Sequence, residues 1–251
     1  TITAGELATN DSLEVTISGS ITEIGTATNE ITDVKVKNNS VDVSDNYNIT
    51  EVDGTLEVTA RPITIKADSA EKVYDGTALT VNDYTITAGE LATNDSLEVT
   101  ISGSITGVGT VINDITEVKV MNNGEDVSAN YNITEVDGNL EVTARPISIT
   151  ADSDNKVYDG TDLSNSGYNR TSGTIATGET LESVTVSGSQ RYVGSSANSP
   201  SAAVIKRGTD DVTDNYEITY VAGTLEVEKA NIAITVEADS DDIIYDGTAL
   251  T

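Results

Sequence analysis

Apolar and polar residues alternate along this chain in short runs, and the helical period is absent. Leu97, Val99 and Ile101 are separated by Glu98 and Thr100, which gives one aliphatic and one polar face, as in a half-buried strand. Ile63 and Ile65 alternate with Thr64 and Lys66, and the same spacing separates Val118 from Val120, Tyr131 from Ile133 and Leu140 from Val142. Turn residues divide the runs. Tyr74-Asp75-Gly76 supplies one turn, and Asp137-Gly138 reads as a tight hairpin turn between the runs at 131–133 and 140–142.

The pattern repeats. Tyr74-Asp75-Gly76 returns as Tyr158-Asp159-Gly160 and Tyr245-Asp246-Gly247, displaced by 84 and then 87 residues. Asn46-Tyr47-Asn48-Ile49-Thr50 returns at Asn130 to Thr134 and again at Asn215 to Thr219, displaced by 84 and then 85. Thr1 to Ala60 matches Thr85 to Ala144 with few changes, whereas Arg145 to Glu228 has drifted further, notably at Arg191-Tyr192 and Ser195 to Ser201. A copy opens naturally at Arg61-Pro62, since proline is tolerated at the first residue of a strand. The expected organisation is therefore an incomplete copy at 1–60 lacking its opening strand, a complete copy at 61–144, a complete but divergent copy at 145–229, and the opening strand of a further copy at 230–251.

About seven short strands per copy predict an all-β protein of tandem antiparallel immunoglobulin-like β-sandwich modules, with a barrel as the second choice. The apolar residues named above should form the buried faces, and the recurring tyrosines should supply the large rings. With only Ala60-Arg61 or Ala144-Arg145 at the junctions, no flexible spacer separates the copies.

Composition narrows the chemistry. The chain has 251 residues, with no Cys, His, Trp or Phe, and carries 42 acidic against 13 basic residues for a formal net charge of −29. Regular alternation argues against the disorder that such acidity would otherwise suggest. The negative charge opposes nucleic-acid binding, which needs basic residues to replace counterions. Ser-His and Cys-His nucleophilic arrangements are excluded by composition, and the many carboxylates read as solvated faces and turns rather than as a glycosidase pair. The chain is not expected to be an enzyme. It has no apolar stretch long enough to insert in a membrane; a leader or an anchor is expected to lie outside it.

Lys72-Val73-Tyr74-Asp75-Gly76-Thr77, with its copies at Lys156 to Thr161 and Ile243 to Thr248, resembles the signature of the YDG and MBG-type repeats of bacterial adhesins. Gly138 to Val142, with Gly54 to Val58 and Gly223 to Val227, is similar to the closing strand of the same family. The resemblance covers essentially the whole chain. It implies an immunoglobulin-like sandwich used as a tandem stalk on secreted or wall-attached proteins, and hence an extracellular location at the bacterial cell surface. It supplies no catalytic residue and no ligand. Wall-attached stalks also carry Lys-to-Asn crosslinks, but the lysine position of the signature, Lys72 and Lys156, is Ile243 in the last copy.

The signature residues Tyr74, Asp75, Gly76, Tyr158, Asp159, Gly160, Tyr245, Asp246 and Gly247 are expected to be structural. No cofactor is expected. Calcium is the one ion to weigh, because Asp42 and Asp45, and Asp210, Asp211 and Asp214, cluster in loops; Ala129 stands where Asp45 would recur. The leading functional expectation is a stalk or fibre segment whose partners are the neighbouring repeats. The alternatives are an adhesive module that grips a glycan or host protein, for which the loop at Arg191 and Tyr192 is the best place, and a fibre subunit. In the last case the 230–251 strand of one chain would complete the 1–60 copy of the next. The register fits that arrangement, but a window cut from a longer repeat array is the preferred reading of it.

Overall fold

A computed structural model describes all residues, 1–251. The chain is all-β, and three single turns of 3-10 helix, Ser44–Asn46, Ser128–Asn130 and Thr213–Asn215, are its only helical structure. The first copy contributes β1 (Asp11–Ser18), β2 (Gly25–Asn38), β3 (Val41–Asp42) and β4 (Gly54–Val58). The second contributes β5 (Arg61–Ala67), β6 (Ala70–Val73), β7 (Tyr84–Ala88), β8 (Asp95–Ser102), β9 (Gly109–Asn122), β10 (Glu125–Asp126), β11 (Tyr131–Val136) and β12 (Gly138–Thr143). The third contributes β13 (Arg145–Ala151), β14 (Asp154–Val157), β15 (Tyr168–Ser172), β16 (Thr180–Ser187), β17 (Gly194–Arg207), β18 (Asp210–Asp211), β19 (Tyr216–Val221) and β20 (Gly223–Glu228).

Contacts divide the chain into two compact units, Thr1–Lys72 with Ala78–Val142, and Val73–Thr77 with Thr143–Thr251. Sequence copies and compact units are different partitions. The signature turn of the second copy, Val73–Thr77, is built into the unit that holds the third.

Pairing is mixed rather than wholly antiparallel. β8, β10 and β12 flank β9 antiparallel, whereas β5 runs parallel to β11 and antiparallel to β7. The third copy repeats this with β13 between β19, parallel, and β15, antiparallel; its β14 pairs parallel with β20, as β6 neighbours β12 in the second copy. The hairpin read at Asp137-Gly138 does not form, because β11 and β12 lie in different sheets. The chain changes sheets there. Asp137 accepts the Ile115 backbone N–H at 3.1 Å, and a Cβ on Gly138 would collide with the carbonyls of Ala67 and Asp68, so the small residue serves a close backbone approach.

A second sheet change occurs inside the 14-residue strands β2, β9 and β17. β9 pairs with β12 through Asn113 and with β8 from Asp114 onward; β17 switches from β20 to β16 after Asn198. Asn113 and Asn198 are fully buried at these points. Their amides hold flanking loops, Asn113 donating to the Asp68 and Val81 carbonyls and Asn198 to those of Asp152 and Asn165, which satisfies backbone that would otherwise be stranded by the switch.

The core of the second copy is Ile63, Ile65, Ala67, Ile115, Val120 and Tyr131, against which Leu97, Val99, Ile101, Val118 and Ile133 pack partly buried. β12 and β20 bury alternate residues, Leu140 and Val142 on one and Leu225 and Val227 on the other, as a strand with one inward face should. In the third copy Ile147, Ile149 and Ala151 of β13 occupy the places of Ile63, Ile65 and Ala67 and are equally buried. Residues 230–251, expected as an opening strand, form none. They have no partner strand to take their backbone hydrogen bonds.

Candidate functional site

The signature turn has a repeated local cause. In each copy the aspartate carboxylate accepts both the N–H and the O–H of the threonine two residues on, as in Asp75 with Thr77, Asp159 with Thr161 and Asp246 with Thr248. The intervening Gly76, Gly160 and Gly247 have φ of +80°, +83° and +83°, a left-handed backbone that glycine adopts without a Cβ penalty. In the third copy Lys156 adds its ammonium, 2.8 Å from Asp159 and 2.7 Å from the Thr161 carbonyl. That lysine, together with the threonine bonds, holds the Asp159 carboxyl well below the usual carboxylate range.

The turn is shared, but the three tyrosines are not in equivalent surroundings. Tyr74 is buried at 2% exposure, Tyr158 is 38% exposed and Tyr245 92% exposed. Tyr74 owes its burial to residues of the third copy, within the second compact unit. Its hydroxyl donates to Glu179 at 2.6 Å, and its ring meets that of Tyr216 edge-on, with centroids 5.7 Å apart and planes at 78°, a favoured aromatic geometry.

Glu179 is the hub. Its side chain is fully enclosed and accepts from Tyr74, from Tyr216 and from the Arg207 guanidinium at 2.8 Å. A buried carboxylate is tolerated only when paired and hydrogen-bonded, and both conditions hold here. Arg207 also donates to the Gly76 carbonyl at 2.8 Å, and Arg145 donates to that of Tyr74 at 3.0 Å. The Tyr216 hydroxyl accepts the Ala176 backbone N–H at 2.8 Å. Burial first, and the neighbouring Glu179 next, push the hydroxyls of Tyr74 and Tyr216 up to about 12.

The receiving half of this cluster recurs. Tyr131 donates to Asp95 and accepts the Ala92 N–H at 2.8 Å; Tyr47 donates to Asp11 at 2.6 Å and accepts the Ala8 N–H at 2.9 Å. Asn122 and Asn38 stand where Arg207 stands, and each donates to the same aspartate. The tyrosine bonds, followed by those of the asparagines, lower the carboxyls of Asp11 and Asp95. The second sequence marker, Asn-Tyr, thus identifies a socket, and in the third copy Tyr74 fills it.

Two of the five calcium candidates accept hydrogen bonds from their own turns. Asp42 and Asp211 accept from Ser44 and Thr213 at the start of the 3-10 turns, and these bonds lower both carboxyls. Asp45 and Asp214 lie within those turns and Asp210 in β18; no three acidic groups converge there. At the divergent loop Tyr192 is 68% exposed. Sequence reasoning missed Glu179 and Arg207, although Asp11, Asp95 and Glu179 are acids at one repeat position, and missed the asparagines at the sheet changes, although Asn29, Asn113 and Asn198 share a position too.

No family model and no curated protein sequence matches the chain. Among solved structures, an endo-fucoidan hydrolase of glycoside hydrolase family 107 aligns over 90% of this chain at 11% identity with a TM-score of 0.15. The chain spans 38% of the length of that enzyme, and an overlap this loose carries no argument.

Proposed function

We propose that the chain is a structural segment of a bacterial cell-surface stalk or fibre, made of tandem immunoglobulin-like β-sandwich modules and lacking catalytic activity. The observation that carries this reading is Tyr74, a residue of one sequence copy held in a buried socket built by the next. An array whose copies are joined by a buried aromatic plug, and not by the short connecting peptide alone, resists pulling and twisting. Repeated modules of this kind suit a spacer that holds a binding domain away from the cell wall, and the net charge of −29 keeps neighbouring stalks apart. An extracellular position without cysteine is consistent with stability drawn from packing and not from disulfides.

Single-molecule force extension tests the reading. Each complete copy should unfold as a unit and release about 280–300 Å of contour, the reach of 84 extended residues. Tyr74→Ala should lower the rupture force of the third copy. Gradual extension without discrete events, or one event spanning all copies, would contradict a stalk of separate modules.

A further inference from the structure

Asn123 and Gly124 form the two-residue turn between β9 and β10, where Glu125 pairs with Asn122. Both have positive φ, +49° and +89°, as a tight turn matched to the twist of its strands requires, and asparagine followed by glycine adopts that backbone most readily. The pair that suits the turn is also chemically labile. Glycine places no side chain over its own nitrogen, and no atom comes within 4 Å of a Cβ built on Gly124, so the neighbouring asparagine amide is open to attack by that nitrogen. In such a turn the N–H of the fourth residue closes the ring, which leaves the Gly124 N–H to solvent. Both residues are exposed. Asparagine precedes glycine nowhere else in the chain; the first copy has Asn39-Ser40 at this place and the third Gly208-Thr209.

The Asn123 side chain is also the outer end of a hydrogen-bonded relay. Its Nδ2 donates to Oδ1 of Asn122 at 2.9 Å, and the Asn122 amide donates to Asp95. Asp95 accepts the Tyr131 hydroxyl, which in turn accepts the Ala92 N–H at 2.8 Å. A carboxylate at position 123 has no proton to give, so it would face the Asn122 oxygen acceptor to acceptor. If Asn122 turns over to relieve this, its oxygen meets Asp95, and the conflict has moved one residue inward. Isoaspartate disturbs more, because it routes the main chain through the former side chain. That adds a CH2 to a turn built for two residues and pulls β10 out of register with β9.

We propose that Asn123-Gly124 is a site of spontaneous deamidation whose product loosens the hold of Asp95 on Tyr131. The Gly124 nitrogen gives up its proton to water and bonds to Cγ of Asn123; the Cγ–Nδ2 bond breaks, and Nδ2 leaves with a proton as ammonia. Water then opens the cyclic imide at either of its carbonyl carbons, which yields aspartate or isoaspartate. The sum is one water consumed and one ammonia released, with nothing oxidised or reduced. Each event adds a negative charge beside Glu125 and Asp126, in a chain already at −29. The reaction belongs to the second copy, because the Ser40 side chain crowds the corresponding nitrogen in the first and the third has no amide there. It is independent of the stalk reading.

Peptide mass mapping of the whole folded chain, aged in warm, mildly alkaline buffer, tests it. The segment that holds Asn123 should gain the mass of an NH2-to-OH exchange and separate into aspartate and isoaspartate forms, while the segment that holds Asn39 stays as it was. Asn123→Gly suits the positive φ and carries no amide, so that variant should gain nothing at the turn. Amide hydrogen exchange reads the relay. The Ala92 N–H should exchange about fivefold faster after ageing, the loss of one net hydrogen bond, and at an unchanged rate in aged Asn123→Gly. An Asn123 no more altered than Asn39, or an Ala92 rate that ageing leaves as it was, overturns the proposal.

Discussion

The hydroxyl of Tyr74 donates a 2.6 Å hydrogen bond to the enclosed carboxylate of Glu179, 105 positions further along the chain. Tyr158 occupies the same place in the next signature but is 38% exposed. The two should therefore respond differently to one substitution. Tyr74→Phe removes a buried bond to a charged group and should cost about 1–3 kcal/mol, whereas Tyr158→Phe should stay within about 0.5 kcal/mol. Urea unfolding of both variants measures the difference, and equal costs would contradict the distinct surroundings of the two rings.

Alkaline stability should report the same cluster. The hydroxyls of Tyr74 and Tyr216 are pushed up to about 12, while tyrosine in an unfolded chain ionises near pH 10. Between these values the unfolded state has released protons that the folded state keeps, so unfolding is favoured as pH rises. The stabilisation from both groups is fully present below about pH 10 and is lost by about pH 12. Denaturant midpoints measured across this range should fall steeply for the unaltered chain and less steeply for Tyr74→Phe; parallel curves would argue against the coupling.

Gly76 and Gly160 separate backbone strain from packing. Both have φ near +80°, at +80° and +83°. Open space surrounds Gly160, whereas a Cβ on Gly76 would collide with the Arg207 guanidinium. Gly160→Ala should cost only the left-handed strain, about 1–2 kcal/mol. Gly76→Ala should cost more, because Arg207 must leave Glu179 and the Gly76 carbonyl to make room. Thermal melts of the pair give the ranking directly.

The strand period was legible in sequence, and so was the repeat, but the depth of burial was not. Ile63 and Ile65 are buried on β5, and the run at Leu97, Val99 and Ile101 is β8. Val99 and Ile133, read as core, are only partly buried, because alternation identifies a face without saying how much of it is covered. Asp137-Gly138 looked like a hairpin turn because a tight turn and a sheet change ask for the same small and acidic residues. The socket was hidden for another reason. Its acid is Asp11, Asp95 or Glu179, its partner is Asn38, Asn122 or Arg207, and nothing local ties either to Tyr74.

The burial ranking has its own consequence for stability. Ile65→Ala empties a fully buried site and should cost about 2–5 kcal/mol. Val99→Ala, at a partly covered position, should cost clearly less. Calorimetric melts of the two variants decide the order, and a larger loss from Val99 would reassign the core face of the second copy.

Tyr74 and Glu179 should act together, and a double-mutant cycle of Tyr74→Phe and Glu179→Gln, read by urea unfolding, measures that coupling. Groups joined by a buried hydrogen bond should show an interaction energy of about 0.5–3 kcal/mol. Losses that simply add, within about 0.3–0.5 kcal/mol, would mean that the signature tyrosine of one copy is not held by the socket of the next.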